Sequence, residues 1–359
     1  MATFMGTKPA SRKDIGNPLA SCPFLRACRR EPLPSPPVWL MRQAGRYLPE
    51  YRKLRSRVPF LELCKSPDLV AEVTIQAAGR LGVDAAIIFS DLLLPMEAFG
   101  LRLSYEKGDG PAIGPPLRCA SDLARLRQPD LELDLGYVLE GIRRTRRELP
   151  PRLPLIGFAG APFTLASYMI EGGGSSSYRH TKTFLYRNPD AWDDLMRRLV
   201  RLTAAYLNGQ IAAGVQAVQI FDSWVGCLSP GDYRDFVLPH VRALVAAITP
   251  GTPVILFGTQ TGPLLTHMRA AGAGVIGVDW RVDLLQAWDV VGDVAMMGNL
   301  DPVVLFAPRR EVVRRTRDLL ARAGSRPGWI FNLGHGILPH TPVENVLALV
   351  ETVHAWNGA

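Results

Sequence analysis

The chain has 359 residues, 47% hydrophobic and 21% charged, a globular composition with ample material for a core, which excludes disorder throughout. Its formal charge of +8 calls for an anionic partner (nucleic acid, a membrane surface or an acidic small molecule) without choosing among them. No run reaches the ~18 apolar residues of a membrane span, and the 5 cysteines form no CxxC, so neither disulfide framework nor zinc site is expected and a reducing, cytoplasmic setting fits.

The first 20 residues lack the apolar stretch of a signal peptide; their serine, lysine and arginine leave a transit peptide as the alternative, and 1–22 read as a disordered tail, leaving 23–359 as one domain. Along that domain short apolar runs alternate with amphipathic segments. The runs are "PPVWLM" (36–41), "DAAIIFS" (84–90), "LPLIGFA" (153–159), "VQAVQIF" (215–221), "PVILFG" (253–258), "VIGVDW" (275–280), "VAMMGN" (294–299) and "GWIFNLG" (328–334). Helix starts are marked by Ser66-Pro67, Asn188-Pro189 and Thr341-Pro342, each a capping side chain before a proline whose missing N–H costs nothing at the first helical position. Thr341 and Glu344 also have capping-box spacing.

Eight strands, each followed by a helix, predict a single (β/α)₈ TIM barrel, because parallel strands need helical crossovers. A doubly wound open sheet is the alternative. Two intervals break the rhythm. Residues 98–117 alternate apolar and polar around Gly108-Asp109-Gly110 and predict a hairpin after the second strand. Residues 160–190, with "EGGGSSSYRH", predict a long mobile loop.

Several patterns that look like sites are set aside on context. "GAGVIG" (272–277) fits GxGxxG, but its glycines close a helix and lead into a strand, the reverse of a dinucleotide fold. "EGGGSSS" lacks the lysine of a phosphate loop, no histidine stands in HExxH or HxC spacing, and no GxSxG occurs. The arginine-rich segments 141–149 and 309–326 mix acids and apolar residues at helical spacing and read as solvated helix faces. They lack the interleaved aromatics of a nucleic-acid surface.

In a barrel the site lies at the C-terminal ends of the strands. Arg42, Gln43 and Arg46 follow the first strand, Asp91 the second, Tyr168 lies in the loop after the third, Asp222 and Ser223 follow the fourth, and His335 the eighth. Each has an ordinary explanation alone, as a helix cap, a core aromatic or a surface ion pair; together they outline one rim. The first segment is the most unusual: Arg42, Arg46, Arg52, Lys53, Arg55 and Arg57 face a single acid, Glu50, and Gly45 and Pro49 shape a turn that can aim Arg42 and Arg46 inward.

"PVWLMRQAGRYLPEYR" (37–52), "FSDLLLP" (89–95), "GFAGAPFTLASYMIEGG" (157–173), "FDSW" (221–224) and "FNLGHGILP" (331–339) resemble, in order and separation, the signatures of the uroporphyrinogen decarboxylase family over about residues 23–356. The resemblance implies a (β/α)₈ barrel, a homodimer, no metal or organic cofactor, and removal of four acetate carboxyls from uroporphyrinogen III to give coproporphyrinogen III. It places substrate contacts on Arg42, Ala44, Arg46, Arg55, Asp91, Tyr168, Ser223 and His335; Gln43 and Gly45 of the same turn are expected to join them as substrate-binding residues, with Asp91 and Arg42 catalytic.

The chemistry asks for such residues. A substrate with eight carboxylates is anchored by arginines, which bind carboxylate bidentately with a charge that does not titrate away. Protonation of a pyrrole carbon makes the ring an electron sink, and an ionised carboxylate at the centre of the macrocycle stabilises the resulting cation, the role expected of Asp91. Whether Arg42 also moves a proton stays open at this point. Two other classes compete: a corrinoid-linked methyltransferase of the same barrel, disfavoured by the lack of His-x-Cys, and a non-catalytic porphyrin-binding protein.

Overall fold

The computed structural model describes residues 19, 21–106, 110–323 and 326–357. The expected tail 1–22 falls almost wholly outside them, as does most of the Gly108-Asp109-Gly110 turn.

Among the described residues nine strands form: β1 (Ala86–Ile87), β2 (Arg102–Glu106), β3 (Gly110–Gly114), β4 (Leu155–Gly160), β5 (Ala217–Asp222), β6 (Val254–Gly258), β7 (Val275–Gly277), β8 (Ala295–Leu300) and β9 (Trp329–Leu333). Seven make one parallel sheet in the order β1-β4-β5-β6-β7-β8-β9, and β2 pairs with β3 alone, antiparallel. The parallel strands are almost uniformly buried, since helices cover their outer faces and side chains fill the space inside.

The 36–41 run closes the sheet into a barrel. Val38 bridges Phe331 of β9 in parallel, with the Phe331 amide donating to the Pro37 carbonyl at 2.9 Å. On its other side the Asp84 amide donates to the Val38 carbonyl at 2.8 Å, and the Val38 amide donates to the Asp84 carboxylate at 2.7 Å. A side chain thus meets one of the donors that a neighbouring strand would have taken, which is why this stave is a bridge rather than a full strand. All eight apolar runs therefore hold staves of the barrel, and the open-sheet alternative fails because both ends of the seven-stranded sheet meet Val38.

Two expectations fail locally. Helices begin at Pro67 and Pro189 as expected, but neither Ser66 nor Asn188 caps through its side chain. The Thr341 hydroxyl donates to the Leu338 carbonyl at 2.8 Å, so no capping box forms and Pro342 is the cap of the helix Val343–His354. More consequentially, 160–190 is not a long loop: it contains the helices Pro162–Glu171 and Arg179–Arg187. Proline opens the first of these and left-handed Gly172, at φ 82°, ends it. The glycine and serine run 172–177 falls in the short connection between the two.

The hairpin forms as expected, with Leu103 opposite Ile113. It docks on the Pro162–Glu171 helix: the Ile113 amide donates to the Gly172 carbonyl and the Leu117 amide to the Met169 carbonyl, both at 2.8 Å. This contact folds β2 back over the barrel mouth.

Candidate active site

The segment after the Val38 stave is fixed by its neighbours. The Met41 amide donates to Asn332 Oδ1 at 3.1 Å and the Ile337 amide to the Met41 carbonyl at 2.9 Å, tying this turn to the loop after β9. Arg42 takes a left-handed backbone at φ 60°, sparsely populated for a residue with a Cβ and found where surrounding structure imposes it. Two glycines make room. A Cβ on Gly45 would stand 2.5 Å from the Arg42 carbonyl, and one on Gly336 would overlap the Arg42 side chain. Arg42 is exposed to the cavity but ringed by protein; burial and the neighbouring Arg46 lower its pKa, while Tyr168, Asp91 and Tyr105 oppose that shift.

Asp91 follows β1, at the C-terminal end of its strand, and is half-buried. Its Oδ1 accepts the Leu93 amide at 2.8 Å and its Oδ2 accepts the Tyr105 hydroxyl at 2.6 Å. Burial pushes its carboxyl above the usual carboxylate range; Tyr105, the Leu93 amide and Arg42 pull it back down. The approach to Asp91 is held by Thr74, whose buried hydroxyl accepts the Phe89 amide at 2.9 Å. Arg55, last residue of the helix Pro49–Arg55, donates to the Val58 carbonyl and lies 5.7 Å from the Phe60 ring centre. Phe60 in turn meets Tyr105 edge-on at 4.8 Å, so an aromatic contact joins the arginine-rich helix to the hairpin.

Tyr168 sits on the Pro162–Glu171 helix, not in a loop, and stacks on Trp224 at 3.7 Å. Burial and nearby Asp91 raise its hydroxyl to about 12, so at neutral pH it is a hydrogen-bond donor. Ser223 precedes Trp224, and its carbonyl accepts the Thr259 hydroxyl. Below it, Asp222 is 1% exposed and accepts the Thr164 hydroxyl at 2.8 Å; burial raises its carboxyl to about 7. Asp222 holds the loop from beneath and does not face the cavity.

His335 is half-buried beside Trp280, perpendicular to it at 6.4 Å, with the Arg281 guanidinium 4.0 Å over the indole. Burial, then the Arg42 cation, lowers its pKa to about 4, so it is neutral near pH 7. It can donate one hydrogen bond to a carboxylate there but brings no charge.

Arg42 thus lies within electrostatic reach of Asp91, Tyr168 and His335, with Arg46 beside it, and Ser223 directly precedes the Trp224 on which Tyr168 stacks. Gln43 does not present its side chain to this group. Fully buried, it accepts the Leu40 amide through Oε1 and donates from Nε2 to the Ala85 carbonyl, each at 3.2 Å, while its own carbonyl accepts Tyr47 Oη at 2.9 Å. Gln43 is framework, because a polar side chain inside the barrel wall must spend its donors and acceptors there. Ala44 is also buried, and Gly45 contributes the turn.

Sequence reasoning missed Tyr105 and Trp224 as site residues. Leu101, Leu103 and Tyr105 alternate with polar residues in the expected hairpin, so the period of two already placed Tyr105 on the inward face. What was lacking was the docking that brings the face to Asp91.

The arrangement is a cationic mouth around one carboxylate, floored by aromatic rings: Phe221 lies 5.6 Å from Phe158 and 5.9 Å from Phe257. It can anchor several carboxylates through Arg42 and Arg46 and offer an acceptor, Asp91, to N–H groups at the centre. Among the described residues no cluster of three or more His, Cys, Asp or Glu is placed to hold a metal ion.

In overall fold the chain is similar to a methyltransferase from Methanosarcina mazei, with TM-score 0.78 at 21% identity over 92% of this chain and 96% of that one, a likeness of fold alone. A B12-independent methionine synthase from Shewanella is more distant, with TM-score 0.54 at 12% identity over 80% and 87% of the two chains. In sequence it is 56% identical to a uroporphyrinogen decarboxylase of Chloroflexus aurantiacus over 341 residues, 93% of this chain and 95% of the relative. It is 54% identical to that of Sorangium cellulosum, covering 92% and 95%. The family model described as uroporphyrinogen decarboxylase matches residues 20–356, almost the whole barrel and its mouth, and the chain belongs to that family.

Proposed function

We propose that this chain decarboxylates the four acetate side chains of uroporphyrinogen III, giving coproporphyrinogen III and four CO₂ for heme and porphyrin synthesis. The observation that carries the reading is that Arg42 lies within electrostatic reach of Asp91 at the C-terminal ends of the strands, cation for the substrate's carboxylates near an acceptor for its pyrrole N–H groups. In each round a proton adds to a pyrrole carbon and the ring becomes cationic. The bond from the side-chain methylene to its carboxylate breaks, its electron pair flows into the ring, and CO₂ leaves. A second proton converts the exocyclic carbon to methyl and the ring proton departs, a net uptake of one proton per CO₂.

The substrate is its own electron sink, so the reading calls for no metal or organic cofactor. Asp91 stabilises the cation, which is the kind of electrostatic contribution worth about 10²–10³ in rate. Arg42, Arg46 and Arg55 anchor acetate and propionate carboxylates, and Tyr168, Ser223 and neutral His335 complete their hydrogen bonds. Ala44 and Gly45 line the turn that presents Arg42. The reading includes a homodimer acting in the cytoplasm, with residues 23–359 as the catalytic barrel.

The test is anaerobic incubation with enzymatically generated uroporphyrinogen III, then oxidation and separation of products by carboxylate number. A ladder from eight carboxylates to four is expected. Tight binding of an unchanged substrate would move the assignment to a non-catalytic tetrapyrrole carrier.

A further inference from the structure

We infer that Tyr105, delivered by the hairpin, is a positioning residue that sets the orientation and proton affinity of Asp91. This rests on the decarboxylase reading and extends it to a residue outside the motifs that carry the family resemblance. A carboxylate has about four acceptor positions. The Leu93 amide takes one on Oδ1 at 2.8 Å, the Tyr105 hydroxyl one on Oδ2 at 2.6 Å, and the Leu92 amide also donates to the group, so Tyr105 is its one side-chain donor. Two donors from different elements fix the plane of the carboxyl group before any substrate arrives. Preorganised acceptors need no rearrangement as charge develops, which is where their rate effect originates.

Tyr105 is itself held. Its ring meets Phe60 edge-on at 4.8 Å, and Phe60 packs on Phe89 at 6.2 Å, which in turn lies 5.5 Å from Tyr51. Arg55 stands over the outer side of Phe60. The hairpin's other strand is pinned to the helix that carries Tyr168. Asp91 therefore feels the hairpin, the arginine-rich helix and the Tyr168 helix through one hydroxyl.

A donor to the ionised carboxyl favours that form. The other titratable groups facing Asp91 are Arg42, which also favours the ionised form, and Tyr168, Tyr206 and Cys64, all raised by burial and uncharged at neutral pH. Tyr105 and Arg42 are thus the side chains that oppose the burial of Asp91. Removing the hydroxyl leaves the ring and its packing in place while shifting Asp91 toward its protonated form.

The experiment compares wild type with Tyr105→Phe in two ways. In steady-state decarboxylation, kcat at neutral pH should fall by roughly three- to tenfold with KM changed less than about twofold, and the acid limb should move up by about one pH unit. Independently of turnover, a ¹³C-carboxyl titration of aspartate-labelled protein should show the same upward shift of the Asp91 resonance, assigned by its absence in Asp91→Asn. An unchanged Asp91 midpoint and an unchanged acid limb would overturn the inference. Failure of the wild type itself to release CO₂ would overturn the decarboxylase reading, while the carboxyl titration would still decide the role of Tyr105. A merely structural Tyr105 would change melting temperature and leave both midpoints in place.

Discussion

Gly336→Ala places one methyl group where the framework has no room for it and the Arg42 side chain has to yield. A Cβ there would stand 2.6 Å from Arg42 Cγ and 3.0 Å from Nε, closer still to Cδ, contacts that real Cβ atoms do not make. Gly336 itself cannot move away readily, because the next amide, Ile337, is bonded to the Met41 carbonyl at 2.9 Å. The Arg42 stem must therefore rotate, carrying the guanidinium from its place beside Asp91 and His335 while leaving it a path to solvent. A hydrogen bond to a charged partner contributes about 1.5–3 kcal/mol, and tenfold in rate corresponds to about 1.4 kcal/mol. Misplacing Arg42 should thus lower kcat/KM by roughly 10- to 150-fold, with melting temperature nearly unchanged. Steady-state kinetics beside a thermal melt measures both. A native melting temperature with kcat/KM within about twofold of wild type would refute the claim that Gly336 exists to seat Arg42.

Two further predictions concern other parts of the mouth. Gln43→Ala should destabilise the fold by about 2–4 kcal/mol, because the Leu40 amide and Ala85 carbonyl lose buried partners; denaturant melts showing wild-type stability would return Gln43 to the substrate side. His335 has a folded pKa of about 4 against an ordinary 6.5, so the unfolded chain binds the extra proton first. Its contribution to stability is complete above about pH 6.5 and is lost as pH falls toward 4. Across that window wild type should lose more melting temperature than His335→Gln, and equal slopes would contradict it.

Most of the barrel was legible because its strands carry near-continuous apolar runs and its helices start with proline. The 160–190 segment was misread because composition was weighed above punctuation: glycine and serine in 172–177 masked the proline start and glycine stop of the helix before them. Arg42, Asp91 and His335 were legible as unusual polar residues at strand ends, and Tyr168 as one in the segment that follows the third apolar run. Gln43 was not, since sequence cannot tell a glutamine facing the cavity from one facing the wall when both lie in the same turn. Tyr105 was hidden for a different reason. Its face followed from alternation, but its partner, 14 residues away at the end of another element, depends on how the hairpin folds back.

The Asp91 carboxylate acts in turnover rather than in holding the fold. Asp91→Asn keeps the size and hydrogen-bonding reach of the side chain and removes its charge, so single-turnover decarboxylation of uroporphyrinogen III is the measurement that tests it most directly. The predicted result is a folded protein that still binds the substrate but releases CO₂ about 10²–10³ times more slowly. Release of CO₂ at close to the wild-type rate would contradict the account.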